Sequence, residues 1–279
     1  MSGEVVVRLA SFIAVSLAMA AWETAAPRRQ RIVSRVLRWP ANLGILAFDT
    51  ALVRLLIAAL PLAIALRAQQ NGWGLLNVYP LPLWIKVSAG VILLDGVIYL
   101  QHVMFHFVPL FWRVHMMHHA DLDFDFTTGG RFHPIEILLS TGIKTAAVAA
   151  LGPPPLAFLL FEVLLNATSI FNHGNVSLPP AVDGVLRFIV VTPDMHRVHH
   201  SVIPRETNSN FGFNLPWWDR IGGTYRDQPS MGHDAMTIGL TRFLEAKRQT
   251  FLWMLLLPFR ETAGGYPTGG RGNRGKDPE

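Results

Sequence analysis

The sequence predicts an all-α fold: an integral membrane helical bundle with a cytoplasmic helical cap that carries a histidine cluster. Three observations predict it. The 279 residues are 51% hydrophobic and only 15% charged, too apolar a balance for an ordinary soluble enzyme. Apolar stretches of spanning length recur, with arginines gathered at their ends, which is how membrane proteins are charged. The histidines are concentrated: five of the eleven fall between His102 and His119, and three more between His196 and His200.

Charge and cysteine content exclude whole classes of function. A net charge of +5 would suit nucleic acid, but membrane topology already accounts for the arginines, so no nucleic-acid partner is expected. With no cysteine, disulfides, iron–sulfur clusters and thiolate catalysis are excluded, and a metal must be held by nitrogen and oxygen.

Val5 to Trp22 reads as a first spanning helix in preference to the apolar part of a signal peptide, although Ala18-x-Ala20 resembles a cleavage site. Arg28, Arg29, Arg31, Arg35 and Arg38 follow with no acid among them. Short loops rich in arginine stay in the cytoplasm, and topology is a sufficient role for this one. Leu43 to Leu66 is the second spanning candidate, with Asp49 and Arg54 turned toward protein or headgroups. Residues 69 to 82 form a short outer loop.

Leu83 to Phe107 returns to the cytoplasmic side and ends in histidines. Asp95, Tyr99, His102 and His106 stand at steps of four, three and four, on one helix face. Pro109 must turn or kink the chain, and the His115 triplet follows on a helix that extends into the cytosol. Asp121 to Gly130, acidic and then Thr/Gly-rich, reads as a loop, with a solvated acidic loop as the plain alternative to one whose acids orient the rings. Pro134 opens the next apolar stretch as a first helical residue. The Gly152-Pro153-Pro154-Pro155 break makes a hairpin of residues 135 to 171. Phe243 to Phe259 reads as one more helix at the membrane interface. By this count every histidine lies on one side. Residues 1–262 form a single membrane domain with its histidine core at 95–240, and 263–279 form a Gly-rich, disordered tail.

The pattern that carries chemistry is His102-x-x-x-His106, His115-x-x-His118-His119 and its echo His196-x-x-His199-His200. Spacings of three and four stack imidazoles on one helix face, and imidazole is the commonest ligand for borderline transition metals. Nine or ten clustered histidines exceed the roughly four to six ligands that one ion takes, so two metals are implied. Neither the His-Glu-x-x-His pattern of zinc proteases nor the Glu-x-x-His pairs of carboxylate-bridged bundles is present. Neutral imidazoles call for acidic neighbours that orient the rings. Asp95, Asp121, Asp123, Asp125, Glu136 and Asp194 compete for that role. A redox metal pair at a membrane surface suits oxygen activation against a lipid C–H bond. His233 stands outside every cluster and reads as an ordinary histidine in a loop.

Several segments carry a resemblance: Phe111-Trp112-Arg113-x-His115-x-x-His118-His119, Arg131-Phe132-His133-Pro134-x-Glu136, Asn172-His173-Gly174-Asn175, Thr192-Pro193-Asp194-Met195-His196-Arg197-Val198-His199-His200-Ser201, Asn210-Phe211-Gly212 and Trp218-Asp219-Arg220-Ile221-x-Gly223-Thr224-Tyr225. From about Asp95 to Leu240 the chain resembles the fatty acid hydroxylase superfamily, which includes the sterol desaturases. Two departures stand out: Val103 follows the first histidine where the family often has Arg, and Gly222 stands where it usually has Phe.

The resemblance implies a membrane enzyme whose histidine boxes hold two iron ions that use O2. Zinc can replace the iron in isolated protein. Its metal ligands carry over to His102, His106, His115, His118, His119, His173, His196, His199 and His200. His133, with Glu136 and Asp194, is expected beside the ligands or facing substrate. The implied reaction is hydroxylation or desaturation of a sterol or fatty acyl lipid. With no flavin, haem or nucleotide motif in the chain, electrons must come from a separate donor such as a ferredoxin, cytochrome b5 or reductase. The alternatives are a carbon–carbon cleaving relative acting on aldehydes and a non-catalytic metal- or lipid-binding membrane protein.

Overall fold

A computed structural model describes residues 3–260, and the tail expected from residue 263 lies outside them. The described residues are helical, with two isolated bridges, Pro27–Val176 and Ser201–Ile238, as the only β-type pairing among them. Helices α1 (Gly3–Ala25), α2 (Arg35–Leu56), α3 (Leu60–Asn71), α4 (Leu83–Phe107), α5 (Pro109–His119), α6 (Pro134–Leu151) and α7 (Pro155–Asn172) come first. Short helices follow: α8 (Pro180–Leu186), α9 (Pro193–His199), α10 (Pro204–Thr207), α11 (Trp217–Ile221), α12 (Gly232–Ala235) and α13 (Phe251–Leu256). Four of these, α1, α4, α6 and α7, are long and apolar enough to cross a bilayer. This is a multi-pass membrane protein.

The second apolar stretch departs from expectation. It starts earlier, at Arg35, and is broken into α2 and α3, which are bent by 45°. Pro61 lies at the start of α3; it has no N–H to give and its ring would clash with the carbonyl one turn back, which favours a kink or break there. Ile57 and Ala58 both donate to Val53 O and close α2 there.

The hairpin of α6 and α7 forms as expected. Gly152 ends α6 at φ 60°, a left-handed turn that glycine adopts without a Cβ penalty. Gly74 packs on it so closely that a Cβ there would lie 2.5 Å from the Gly152 Cα. Leu94 and Ile98 of α4 pack with Val148, Phe158 and Phe161 in the bundle core. Between α1, α6 and α7, Glu162 accepts from Arg8 at 2.6 Å and from Lys144 at 2.7 Å. These charges compensate one another, as ionisable groups inside a membrane must.

Beyond α7 the chain folds back over one end of the bundle as a cap. The expected helix over 243–259 breaks up into α13 and two 3-10 turns, Ala246–Arg248 and Leu257–Phe259. Phe243 sits at φ 70°, and the Gln249 side chain is drawn inward to donate to Ala120 O and accept from Arg131. These anchors override the apolar periodicity. The 121–130 stretch is also no solvated loop: it is buried, and Phe126–Gly130 forms a 3-10 turn capped by Asp125.

Candidate metal centre

Nine buried histidines converge at the cap end of the bundle, in two groups. His102, His106, His115, His119 and His199 form one; His118, His173, His196 and His200 form the other. Within each group the candidate ligand atoms all lie within 4.8 Å of one another. Helix α4 presents His102 and His106 one turn apart, α5 presents His115, His118 and His119, and α9 carries His196 and His199. His173 and His200 sit at the C-caps of α7 and α9. The triplets interlock, with the His119 and His200 rings stacked at 4.6 Å.

For six of the nine rings a hydrogen bond to Nδ1 decides which nitrogen faces inward; the Nδ1 atoms of His119, His196 and His200 have no such partner among the described residues. His102 Nδ1 donates to Phe211 O at 2.8 Å, His118 Nδ1 to Arg131 O at 3.3 Å, His173 Nδ1 to Ser169 O at 2.7 Å and His199 Nδ1 to Ser209 O at 2.7 Å. His106 Nδ1 faces Asn208 Oδ1 at 3.3 Å and His115 Nδ1 faces Glu136 Oε1 at 2.7 Å. A carbonyl only accepts, so the proton is on Nδ1 and the Nε2 lone pair points into the cluster. Yet His118 Nε2 and His173 Nε2 stand 3.1 Å apart, as do His102 Nε2 and His115 Nε2. Facing lone pairs at that distance repel unless a cation lies among them. His199 Nε2 and His200 Nε2, both buried, have no hydrogen-bond partner among the described residues. The donor set therefore fits transition-metal ions.

Burial keeps the rings neutral, the state in which imidazole binds metal. It lowers His115 to about 3 and His173 to about 4. Burial first, and then the neighbouring imidazoles, hold His118, His119, His196, His199 and His200 well below the ordinary histidine value.

Of the six carboxylates that sequence placed in competition to orient the rings, only Glu136 touches a clustered histidine among the described residues. Asp121 and Asp125 grip Arg38 instead, accepting from its Nε and its Nη1 respectively, each at 2.6 Å, and Arg38 is itself wholly buried. Burial alone would raise the Asp121 carboxyl, but the Arg38 and Arg131 guanidiniums hold it well below the usual range. Asp123 accepts from the backbone of Ile32 and Val33. Asp194 pairs with Arg197 and lies 3.6 Å from His233, so His233, on the short α12, is a buried histidine against a carboxylate and stands outside the cluster as expected. His133 caps α6: Ile135 N donates to its Nδ1 at 3.2 Å and its Nε2 reaches Leu255 O at 3.2 Å.

Sequence reasoning missed the frame under the cluster. Arg38 looked like one cation in a topogenic run, yet it ties α2 to the chain beneath His118. Arg131 donates to Met117 O, Asn42 and Gln249. Asp219 accepts from the Phe211 and Gly212 backbone at 2.7 and 2.8 Å, fixing the carbonyl that orients His102. The signal for it was its place in the Trp218-Asp219-Arg220 motif. The expected polar face of α4 is covered rung by rung: Asn208 meets His106, Phe211 meets His102, Thr224 meets Tyr99 at 3.0 Å and Trp218 meets Asp95 at 2.9 Å.

Residues 87–224, which carry all nine histidines, match the family model for fatty acid hydroxylase. Over these residues the chain belongs to the fatty acid hydroxylase superfamily. This hydroxylase-family chain is 30% identical over 178 residues to ornithine lipid hydroxylase OlsE of Rhizobium tropici, covering 64% of this chain and 51% of that protein. It is 30% identical over 147 residues to alkylglycerol monooxygenase of Xenopus tropicalis, covering 51% and 30%. It is 28% identical over 169 residues to methylsterol monooxygenase 2-2 of Arabidopsis thaliana, covering 59% and 63%. The match thus spans about half the length of the first relative. No solved structure matches.

Proposed function

We propose that this protein is a membrane di-iron oxygenase that uses O2 and external electrons to hydroxylate or desaturate a C–H bond of a lipid. The observation that carries the reading is the inward convergence of histidine lone pairs in two separate groups. In this reading His102, His106, His115, His119 and His199 hold one iron, and His118, His173, His196 and His200 hold the other. Zinc can take both places in isolated protein, because imidazole binds it well. Iron bound there supplies the redox chemistry that an inert aliphatic C–H bond requires.

The chain's own part is to orient ligands and exclude water. Backbone carbonyls hold His102, His118, His173 and His199 in one tautomer, and Glu136 orients His115. Trp112 lies 4.8 Å from His106, Phe132 stacks 4.4 Å from His118, and Phe213 lies 5.1 Å from His102. These rings line the cluster with apolar surface and keep water from competing for the ligands.

The names of the relatives, an ornithine lipid hydroxylase and two monooxygenases acting on an alkylglycerol and a methylsterol, support lipid and O2 as substrates. A separate donor such as a ferredoxin, cytochrome b5 or reductase supplies the electrons. A cytoplasmic site is supported by the positive-inside rule, because Arg28 and Arg29 bond to Asn175 and Met236 at the histidine end of the bundle. Residues 1–262 act as one domain, with 95–240 as its histidine core.

The test compares lipids by mass spectrometry in membranes with and without the protein. An oxidised or unsaturated lipid that requires both O2 and reductant supports the reading. Iron-loaded protein with no such product would leave a metal- or lipid-binding protein, and a shortened hydrocarbon would indicate carbon–carbon cleavage.

A further inference from the structure

Outside the histidine site, two cap segments present a bare apolar face. Val185, Phe188 and Ile189, at the end of α8, are 63%, 63% and 59% exposed; Trp217 and Ile221, on α11, are 41% and 78% exposed. The two segments are one unit. Trp217 Nε1 donates to Phe188 O at 2.7 Å, and Arg220 donates to Arg187 O at 3.0 Å. The Arg220 guanidinium also lies over both Phe188 and Tyr225, at 4.9 and 4.0 Å from the ring centroids.

What covers this face follows from where the unit is moored. Trp218, inside α11, donates to Asp95 Oδ2 at 2.9 Å, and Leu215 N donates to the same oxygen at 3.1 Å. The Trp218 ring packs on Gly96, where a Cβ would sit 3.0 Å from it. Asp95 is the middle residue of the 25-residue helix α4. A bilayer takes about 20 helical residues, and every 20-residue window of α4 contains Asp95. Just before this mooring, Phe213 enters the core of the bundle beside Leu94, Phe158 and Phe161. Water-facing depth is therefore unavailable to α11.

We propose that α8 and α11 form a wedge sunk in the bilayer leaflet on the histidine side, its bare apolar face covered by acyl chains. Arg220 is exposed, and its length lets the charge rise toward headgroups while the stem and the stacked rings stay in the apolar layer. The wedge brings that leaflet against Gly222 and Thr224, which close over Tyr99 one turn from His102. The inference rests on α4 as a span and not on the metal chemistry.

The chain has no cysteine, so single cysteines report cleanly. Phe188→Cys and Ile221→Cys in the full-length protein are labelled with a nitroxide and placed in phosphatidylcholine–phosphatidylglycerol vesicles. Leu100→Cys on α4, 64% exposed, serves as the lipid reference. Asp234→Cys, whose side chain is 77% exposed, serves as the aqueous one. Relaxation by O2 should exceed relaxation by a water-soluble nickel chelate at 188 and 221, as at 100, with the order reversed at 234. Strong nickel access at 188 and 221 would overturn the wedge. Protection from both reagents would overturn it equally, since a second copy or another protein would then cover the face. Neither result depends on catalysis, so failure of the wedge and failure of the oxygenase reading are told apart.

Discussion

His118 and His173 face each other with their Nε2 atoms 3.1 Å apart while each gives its Nδ1 proton to a backbone carbonyl. Neither ring can donate to the other. The pair comes from α5 and the end of α7, 55 residues apart in sequence, so two packed elements hold the repelling atoms together. A cation between them turns that repulsion into coordination.

Metal content should follow the two groups. Protein purified in mild detergent is expected to carry about two transition-metal ions, one for each imidazole set. His173→Ala and His200→Ala should each lose the ion of the four-histidine group and keep most of the other; His106→Ala should do the reverse. Elemental analysis of each preparation decides it, and equal loss of both ions from every variant would indicate one shared centre.

The histidines should differ in kind. His118→Ala, His119→Ala, His199→Ala and His200→Ala are each expected to abolish product, because each removes an inward nitrogen. His133→Ala removes a helix cap, costing about 1 kcal/mol, and should lower turnover while iron stays near its full content. His233→Ala should leave most activity, since its ring contacts Asp194 and not the cluster. Iron and product measured on the same preparations separate lost ligands from unfolding; an inactive, fully metallated His233→Ala would contradict this ordering.

Glu136→Gln should weaken the five-histidine group alone. The amide still reaches His115 Nδ1 but no longer supplies the charge that makes the ring a stronger ligand. Loss of such a partner costs about 10–100-fold in affinity or activity. Competition with a graded chelator, read against metal retained at His118 and His173, measures it.

Arg38→Met should destabilise the protein strongly, by about 3–5 kcal/mol, because it leaves buried carboxylates uncompensated. Arg38→Lys should rescue only part of this: a point charge cannot reproduce the fork that meets Asp121 with two nitrogens and Asp125 with a third. Thermal unfolding in detergent gives the comparison. A small loss in Arg38→Met would mean that the cap is not held through this pair.

Accessibility tags after Gln30 and after Pro204 should both report the cytoplasm, and a tag after Gly72, at the far end of α3, the opposite side. The 121–130 stretch is unsuitable for a tag because it is buried. An outside reading at Gln30 would reverse the topology and place the histidine site away from a cytoplasmic electron donor.

Hydropathy and histidine spacing alone were enough to determine the all-helical class, the bounds of α4, the α6–α7 hairpin and eight of the nine converging histidines; His173 came from the family resemblance of its Asn-His-Gly-Asn segment. Those features are local. An apolar run of fixed length must be helical to satisfy its backbone in a membrane, and steps of three and four place rings on one face whatever lies opposite. What only the tertiary structure decided is how the faces meet. The triplets do not each form a group: His118 leaves His115 and His119 to join His196 and His200, while His199 crosses to the other set. Likewise, nothing in the arginine run distinguishes buried Arg38 from exposed Arg31, and nothing along the chain tells that Glu136 orients a ring while Asp121 and Asp125 close on a guanidinium. Spacing fixes a direction from one helix axis; a partner is chosen by the crossing of two, and that crossing is set by packing across the whole bundle.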